Sequence, residues 1–452
     1  MGAFMSALDS NIVTIALPKI AIDQSAGISQ AGWVVTGYVL ASAALLLQTG
    51  KIGDRYGRKN IYLLGFGLFG FASVLCGLSQ SIEQLIAFRV LQGVAAAMLT
   101  ATTSPLIFDT FPPEQRGTAI GVIGTTWAVG AVAGPAIGGF LVSIDWRLIF
   151  YINVPIAALA VIIGAKKIPR QQRQQSGSSF NPFGSLLLGL TVAMVLLWLT
   201  SYNAFFATIG LITLASLVIS ERTSKNPLID KELRRNRGFV YSALAVGISQ
   251  LSYLGVPFAL SFYFQLVAGY SALLAGLFIA PLSVALVISN PLSGRLFDKL
   301  RYPAMISLAG LLIDGVFTII LGLAVERQAS SLYLSILLVL IGIGNGMVWT
   351  PLIGSALKFA GSELRGLANG TSLTLVNICF AASIAITVTL SASFLPQSVA
   401  SNIYLKNLAD LTPLQAGLFN QGIAMALLVL GVVNFILIPL FIMVLREQRR
   451  SF

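Results

Sequence analysis

"GKIGDRYGRK" (50–59) closes one apolar run, and "GRLFDKLRYP" (294–303) closes another, with Gly50 and Asp54 matched by Gly294 and Asp298 at an offset of 244 residues. A second pair, "PPEQRGTAIG" (112–121) and "GSELRGLANG" (361–370), repeats a Glu, an Arg-Gly, an Ala and a Gly at one spacing, offset by 249 residues. Two nearly equal offsets indicate a duplicated unit.

The sequence around these stretches is that of a membrane protein: 56% of residues are hydrophobic, 10% are charged and the mean hydropathy is +0.87. Apolar stretches of roughly 20 residues, each able to cross about 30 Å of hydrocarbon as a helix, recur from end to end. Lipid leaves no backbone amide unpaired, and the ten-residue alternation of a barrel is missing, so an all-α integral membrane bundle is expected. Fourteen spans are read, at 1–22, 30–49, 61–79, 82–106, 118–143, 149–165, 182–200, 204–220, 239–266, 272–293, 303–324, 331–357, 367–393 and 420–444. "LSQS" (78–81) and "SYN" (201–203) mark tight turns, and "AKKIPRQQRQQSGSSFNP" (165–182) a surface loop.

Of the 28 Lys and Arg residues, 23 fall on the side that carries both termini, while Arg147, Arg327 and Lys406 fall on the other. The positive-inside rule places both termini in the cytoplasm. The net charge of +12 is then explained by basic loops against an anionic leaflet, and calls for no nucleic-acid partner. His is absent, so proton chemistry falls to carboxylates. Cys76 and Cys379 lie inside spans and suggest neither a disulfide nor a metal site, and no cofactor is expected beyond the proton gradient. Eight uncharged residues precede Asp9, with neither the basic region nor the cleavage site of a secretory leader, so the first helix reads as clipped or as starting upstream.

The matched stretches share one side, so the halves read as parallel repeats related by an axis along the membrane normal, with transport sites expected at their interface. The expected organisation is an N-terminal six-helix bundle over 1–165, loops and an inserted hairpin over 166–238, a C-terminal six-helix bundle over 239–446 and a tail over 447–452.

The chain resembles the major facilitator superfamily, in particular its fourteen-span drug/proton antiporter branch. Gly50, Gly53, Asp54, Arg55, Gly57, Arg58 and Lys59 match the signature of the loop after span two, residue by residue. The resemblance implies a cytoplasmic latch in which Asp54 accepts from a helix N-terminus or an arginine, with Arg58 and Lys59 at the lipid surface. "GVIGTTWAVGAVAGPAIGG" resembles the antiporter motif through Gly121, Gly130, Gly134, Pro135, Gly138 and Gly139. Glycines 130, 134 and 138 line one helix face, where they admit a close neighbour. "LDSNIVTIALP" (8–18) resembles the first-span motif through Leu8, Asp9, Ala16, Leu17 and Pro18, with Asn11 and Thr14 exchanged relative to the family. "IDWRLIFYINVP" (144–155) contributes Trp146, Arg147, Asn153 and Pro155, and "YFQLVAGYSALLAG" (263–276) Gln265, Gly269 and Tyr270.

The resemblance links Arg89 to proton transfer, and position inside apolar spans nominates the acids that would couple to it. Arg89, in "RVLQG" (89–93), lies roughly seven residues or about 10 Å inside its helix, where snorkelling to the outer surface is the alternative. Asp9 is the expected coupling acid, alternating between a protonated state and one paired with Arg89 or a cationic substrate. Asp314, roughly eleven residues or 17 Å from a helix end, is a second candidate, against a structural role on a peripheral helix. By family analogy spans one, four, nine and twelve line the cavity, which nominates Asn11, Gln92, Gln250, Tyr253, Phe262, Asn345 and Trp349 as substrate contacts. The implied activity is proton-coupled export of lipophilic, cationic drugs by a monomer in the cytoplasmic membrane of a bacterium. The alternatives are a dedicated exporter of one metabolite, lipid or siderophore, and a non-transporting sensor or scaffold. No catalytic constellation is evident, and "GIGNG" (342–346) reads as helix packing.

Overall fold

The fourteen apolar runs are helical in the computed structural model, which describes residues 1–451 apart from 27, 170–180, 202–203, 225–226, 271 and 397–411. Arg170, Arg173, Lys225, Lys406 and part of the "SYN" joint lie outside the described residues. The helices are α1 (Gly2–Asp23), α2 (Ile28–Tyr56), α3 (Arg58–Leu78), α4 (Ile82–Thr110), α5 (Arg116–Ile144), α6 (Leu148–Tyr151), α7 (Asn153–Lys167), α8 (Pro182–Ser201) and α9 (Ala204–Thr223). They continue with α10 (Lys231–Arg235), α11 (Arg237–Phe262), α12 (Ala272–Lys299), α13 (Ala304–Glu326), α14 (Ser331–Phe359), α15 (Arg365–Ala392), α16 (Pro413–Ile436) and α17 (Ile438–Ser451). Among the described residues, ten helical stretches are long and apolar enough to cross a membrane.

Local chemistry sets the ends. Ser81 caps α4 by accepting from the Gln84 N–H, and Thr412 with Gln415 forms a reciprocal capping box at the start of α16. Three expected spans are interrupted: 149–165 breaks at Ile152 between α6 and α7, 420–444 breaks at Leu437, and 239–266 ends in a π turn over Tyr263–Val267.

The signature at 50–59 departs most from expectation. It is not a loop: α2 continues through Tyr56, and the joint to α3 is Gly57 alone, at φ +97°, a conformation that favours glycine. Arg58 then begins α3 and is 4% exposed rather than at the lipid surface, because two carboxylates hold it inward.

The chain divides into two compact units, residues 1–240 with 354–374 and residues 241–353 with 375–452. In the first, α1 packs on α5, α2 on α4, α3 on α4 and α7, and α8 on α9. The α8–α9 pair turns Phe183, Leu186, Phe205, Leu211, Ile212 and Ile219 outward, an apolar face suited to lipid. In the second, α13 packs along α16 and α17.

Candidate functional site

Asp9 stands two turns into α1, and the only way to bury it at 0% exposure is to give its oxygens donors. Two helices supply three of them. The Arg89 Nη1 group of α4 donates to Oδ2 at 2.6 Å, the Gln92 Nε2 group one turn on donates to Oδ1 at 3.1 Å, and the Asn153 Nδ2 group in the first turn of α7 donates to Oδ1 at 2.9 Å. The i, i+3 spacing puts Arg89 and Gln92 on one face of α4. Gln92 in turn accepts from Arg89 Nη1 at 2.5 Å and donates to Ser73 Oγ of α3 at 2.8 Å.

Arg89 is as buried as its partner. Its Nε donates to the Val34 carbonyl of α2 at 3.0 Å, and the guanidinium lies 4.3 Å from the centroid of the Tyr38 ring. The snorkelling alternative is therefore overturned: the guanidinium points into the bundle. Among the described residues, two atoms of the cluster lack partners, Arg89 Nη2 and Asn153 Oδ1, a donor and an acceptor available to an incoming group. The cluster can hold a negative charge against a fixed cation, and can release that cation when the carboxylate is neutralised.

The glycines of α5 set where α1 lies. A Cβ at Gly130 would meet the Phe4 carbonyl oxygen at 2.7 Å, one at Gly134 would meet Asn11 Cβ at 2.6 Å, and one at Gly138 would meet Ile12 Cα at 3.3 Å. These contacts run along α1 on both sides of Asp9. Gly139 has open space beside it, and the Pro135 side chain lies outside the described residues. Asn11 faces Gly134 and gives its amide N–H to the Ala7 carbonyl at 2.7 Å. At the other end of α1, Asp23 accepts from the Trp146 indole at 2.9 Å, with Arg147 at 3.3 Å.

The signature residues form a separate charged cluster in the first unit. Asp54 accepts from the Gly366 and Leu367 N–H groups at 3.1 and 3.0 Å, the open donors at the start of α15. Arg58 bonds Asp54 through Nε at 2.9 Å, Asp109 of α4 at 2.6 and 2.7 Å, and the Ser362 carbonyl at 2.9 Å. A Cβ at Gly50 would collide with the Gly366 carbonyl, and one at Gly53 would meet Thr102 Cγ2 at 3.0 Å. Arg55 is exposed beside Tyr56, and the Lys59 ammonium donates to the Ala165 carbonyl at 2.8 Å.

Asp314 belongs to the second unit, as do Gln250, Tyr253, Phe262, Asn345 and Trp349. Gln250 and Asn345 are buried, the latter with an unpartnered Nδ2. Tyr253 lies 6.1 Å from Phe380, Phe262 lies 5.0 Å from Phe258, and Trp349 is half-buried. The structure thus joins Asp9, Arg89 and Gln92 in one cluster with Asn11 close by, and leaves the other nominated contacts on different helices. Sequence reading did not single out Ser73, Tyr38 or Asp109, and named Asn153 only within a motif. A lone polar residue opening an apolar run after "FYI" was the one available signal for Asn153.

Comparison with known proteins agrees with this architecture. The family model described as Major Facilitator Superfamily matches residues 1–388. The riboflavin transporter RibZ of Clostridioides difficile (strain 630) is 31% identical over 412 residues, covering 90% of this chain and 89% of that protein. The multidrug transporter protein MdtP of Bacillus subtilis (strain 168) is 32% identical over 378 residues, covering 80% of this chain and 69% of that one. The multidrug export protein EmrB of Haemophilus influenzae is 32% identical over 320 residues, covering 68% and 63%. Among solved structures, the human organic anion transporter MFSD10 superposes with a TM-score of 0.62 at 18% identity, covering 96% of this chain and 97% of that one. With its all-helical architecture and a family match over residues 1–388, the chain belongs to the Major Facilitator Superfamily of membrane transporters.

Proposed function

We propose that the protein is a proton-coupled exporter of lipophilic cations, acting by alternating access, as a monomer, in the cytoplasmic membrane of a bacterium, with both termini in the cytoplasm. The observation that carries the reading is the fully buried Asp9–Arg89 pair. A carboxylate in that position has three exchangeable partners: the guanidinium, a proton and a cationic substrate. Protonation weakens its hold on Arg89, and a substrate cation that competes for the carboxylate displaces the proton, so transport of one drives release of the other. The relatives named as multidrug transporters support the substrate class.

A second reading is a dedicated exporter of one metabolite, lipid or siderophore; the relative named a riboflavin transporter, which matches 90% of this chain, supports dedication to one metabolite. Everted vesicles from cells making the wild type or Asp9→Asn, energised to an acid interior and followed with a pH dye, separate the two. Addition of ethidium or another lipophilic cation should raise the internal pH of wild-type vesicles and leave the variant's unchanged. A response to riboflavin and to none of the cations would replace the first reading with the second.

A further inference from the structure

The proposed mechanism makes no use of the buried carboxylate of the second unit. Asp314 is 1% exposed in the middle of α13, and no Lys or Arg among the described residues forms an ion pair with it. It accepts from Ser252 Oγ of α11 at 2.8 Å and from Thr318 Oγ1 one turn along α13 at 3.2 Å. The Asn434 amide of α16 reaches the same place, donating to Ser252 Oγ at 3.3 Å. Yet Asn434 Oδ1, on a residue 1% exposed, has no partner among the described residues.

We infer that Asp314, Ser252, Thr318 and Asn434 form a second proton-binding site, contained within the second unit. An ionised carboxylate with no cation is strongly disfavoured in a dry interior, and binding a proton removes that penalty. A neutral acid then carries an O–H that needs an acceptor. The unpartnered Asn434 oxygen is that acceptor. Turning the terminal amide about its own axis exchanges its NH2 and oxygen without moving the backbone. The amide therefore serves both states: its NH2 faces the ionised carboxylate, and its oxygen accepts from the neutral acid.

The surroundings leave this equilibrium to those groups. α16 carries no ionisable side chain, those of α11 are Arg237, Tyr241 and Tyr253, and those of α14 are Tyr333 and Lys358. α12 carries Arg295, Asp298 and Lys299 at its end, α17 carries Arg446, Glu447, Arg449 and Arg450, and α13 itself Glu326. Among the described residues, Ser252 and Thr318 bond the Asp314 carboxyl and Asn434 reaches it through Ser252. Close helix contact closes the site: a Cβ at Gly344 would meet the Asp314 backbone nitrogen at 2.7 Å, and one at Gly315 would meet Asn434 Cβ at 3.1 Å.

The test uses the full chain in lipid without any substrate, so its failure is separate from failure of the export reading. Infrared difference spectra across a titration from about pH 5 to about pH 9 follow the C=O stretch of protonated carboxyl groups. A titrating band that persists in Asp9→Asn, disappears in Asp314→Asn and changes frequency in Asn434→Leu is the expected result. A spectrum unchanged by Asp314→Asn overturns the proposal, as does an Asp314-dependent band that never titrates. Loss of the band at fixed pH when sodium replaces choline also overturns it, because the site then holds a metal cation. Should Asp314→Asn fail to fold, the frequency change in Asn434→Leu decides.

Discussion

At position 9 a carboxylate and at position 89 a guanidinium are each fully buried, and each offsets the other's charge. Asp9→Asn should therefore cost about 3–5 kcal/mol of stability, since it leaves Arg89 uncompensated. Asp9→Asn combined with Arg89→Gln should recover most of that loss and still not transport, a split visible by comparing thermal unfolding in detergent with efflux in cells. Arg89→Lys should fold but lose transport by about tenfold or more, because an ammonium cannot reach Asp9, Gln92 and the Val34 carbonyl together. Charge made this pair legible in the sequence, as an ion inside an apolar run is conspicuous. Ser73 and Tyr38 were not legible, nor was the role of Asn153, because a hydroxyl, a phenol or an amide is common in spans and its partner is set by which helices meet. Gln92 shows the same limit: nominated for the cavity, it has both ends of its amide engaged in the Asp9 cluster.

At the level of elements, α5 fixes α1 and α1 carries Asp9. Gly134→Ala places a methyl against Asn11 and should push α1 outward, costing about 1–3 kcal/mol, with a larger fractional loss of transport than of folded protein. Measuring efflux per folded molecule separates the two effects. The glycine spacing was visible in the sequence, whereas the helix it receives was not. The signature at 50–59 taught the converse lesson. Its residues were all identified, but its glycines and charges suggested a loop, and it is helical to Tyr56 because the apolar and small residues of α2 sustain the turn until Gly57. Arg58 was assigned to the lipid surface since Asp109, which draws it inward, lies 51 residues away. Asp54→Asn removes the charge that meets the first N–H groups of α15, and should cost about 0.3–2 kcal/mol, read as a lower unfolding temperature.

For the whole molecule, hydropathy alone delivered the helical bundle, because lipid permits few other answers. The breaks at Ile152 and Leu437 escaped it, since each leaves the apolar run intact. Loop charge leads to a topological prediction. With Cys76 and Cys379 replaced, single cysteines at Lys166 and Arg446 should react with an impermeant reagent from the cytoplasmic side, and cysteines at Arg147 and Arg327 from outside. Reversed labelling would invert the orientation.

Proton release on substrate binding tests the central claim most directly. Purified protein in weakly buffered solution with a pH dye, given a pulse of ethidium, should release protons as the cation displaces them from Asp9, and Asp9→Asn should release none at equal folded concentration. Equal release from wild type and Asp9→Asn would contradict the account, because the exchanged proton would then reside elsewhere.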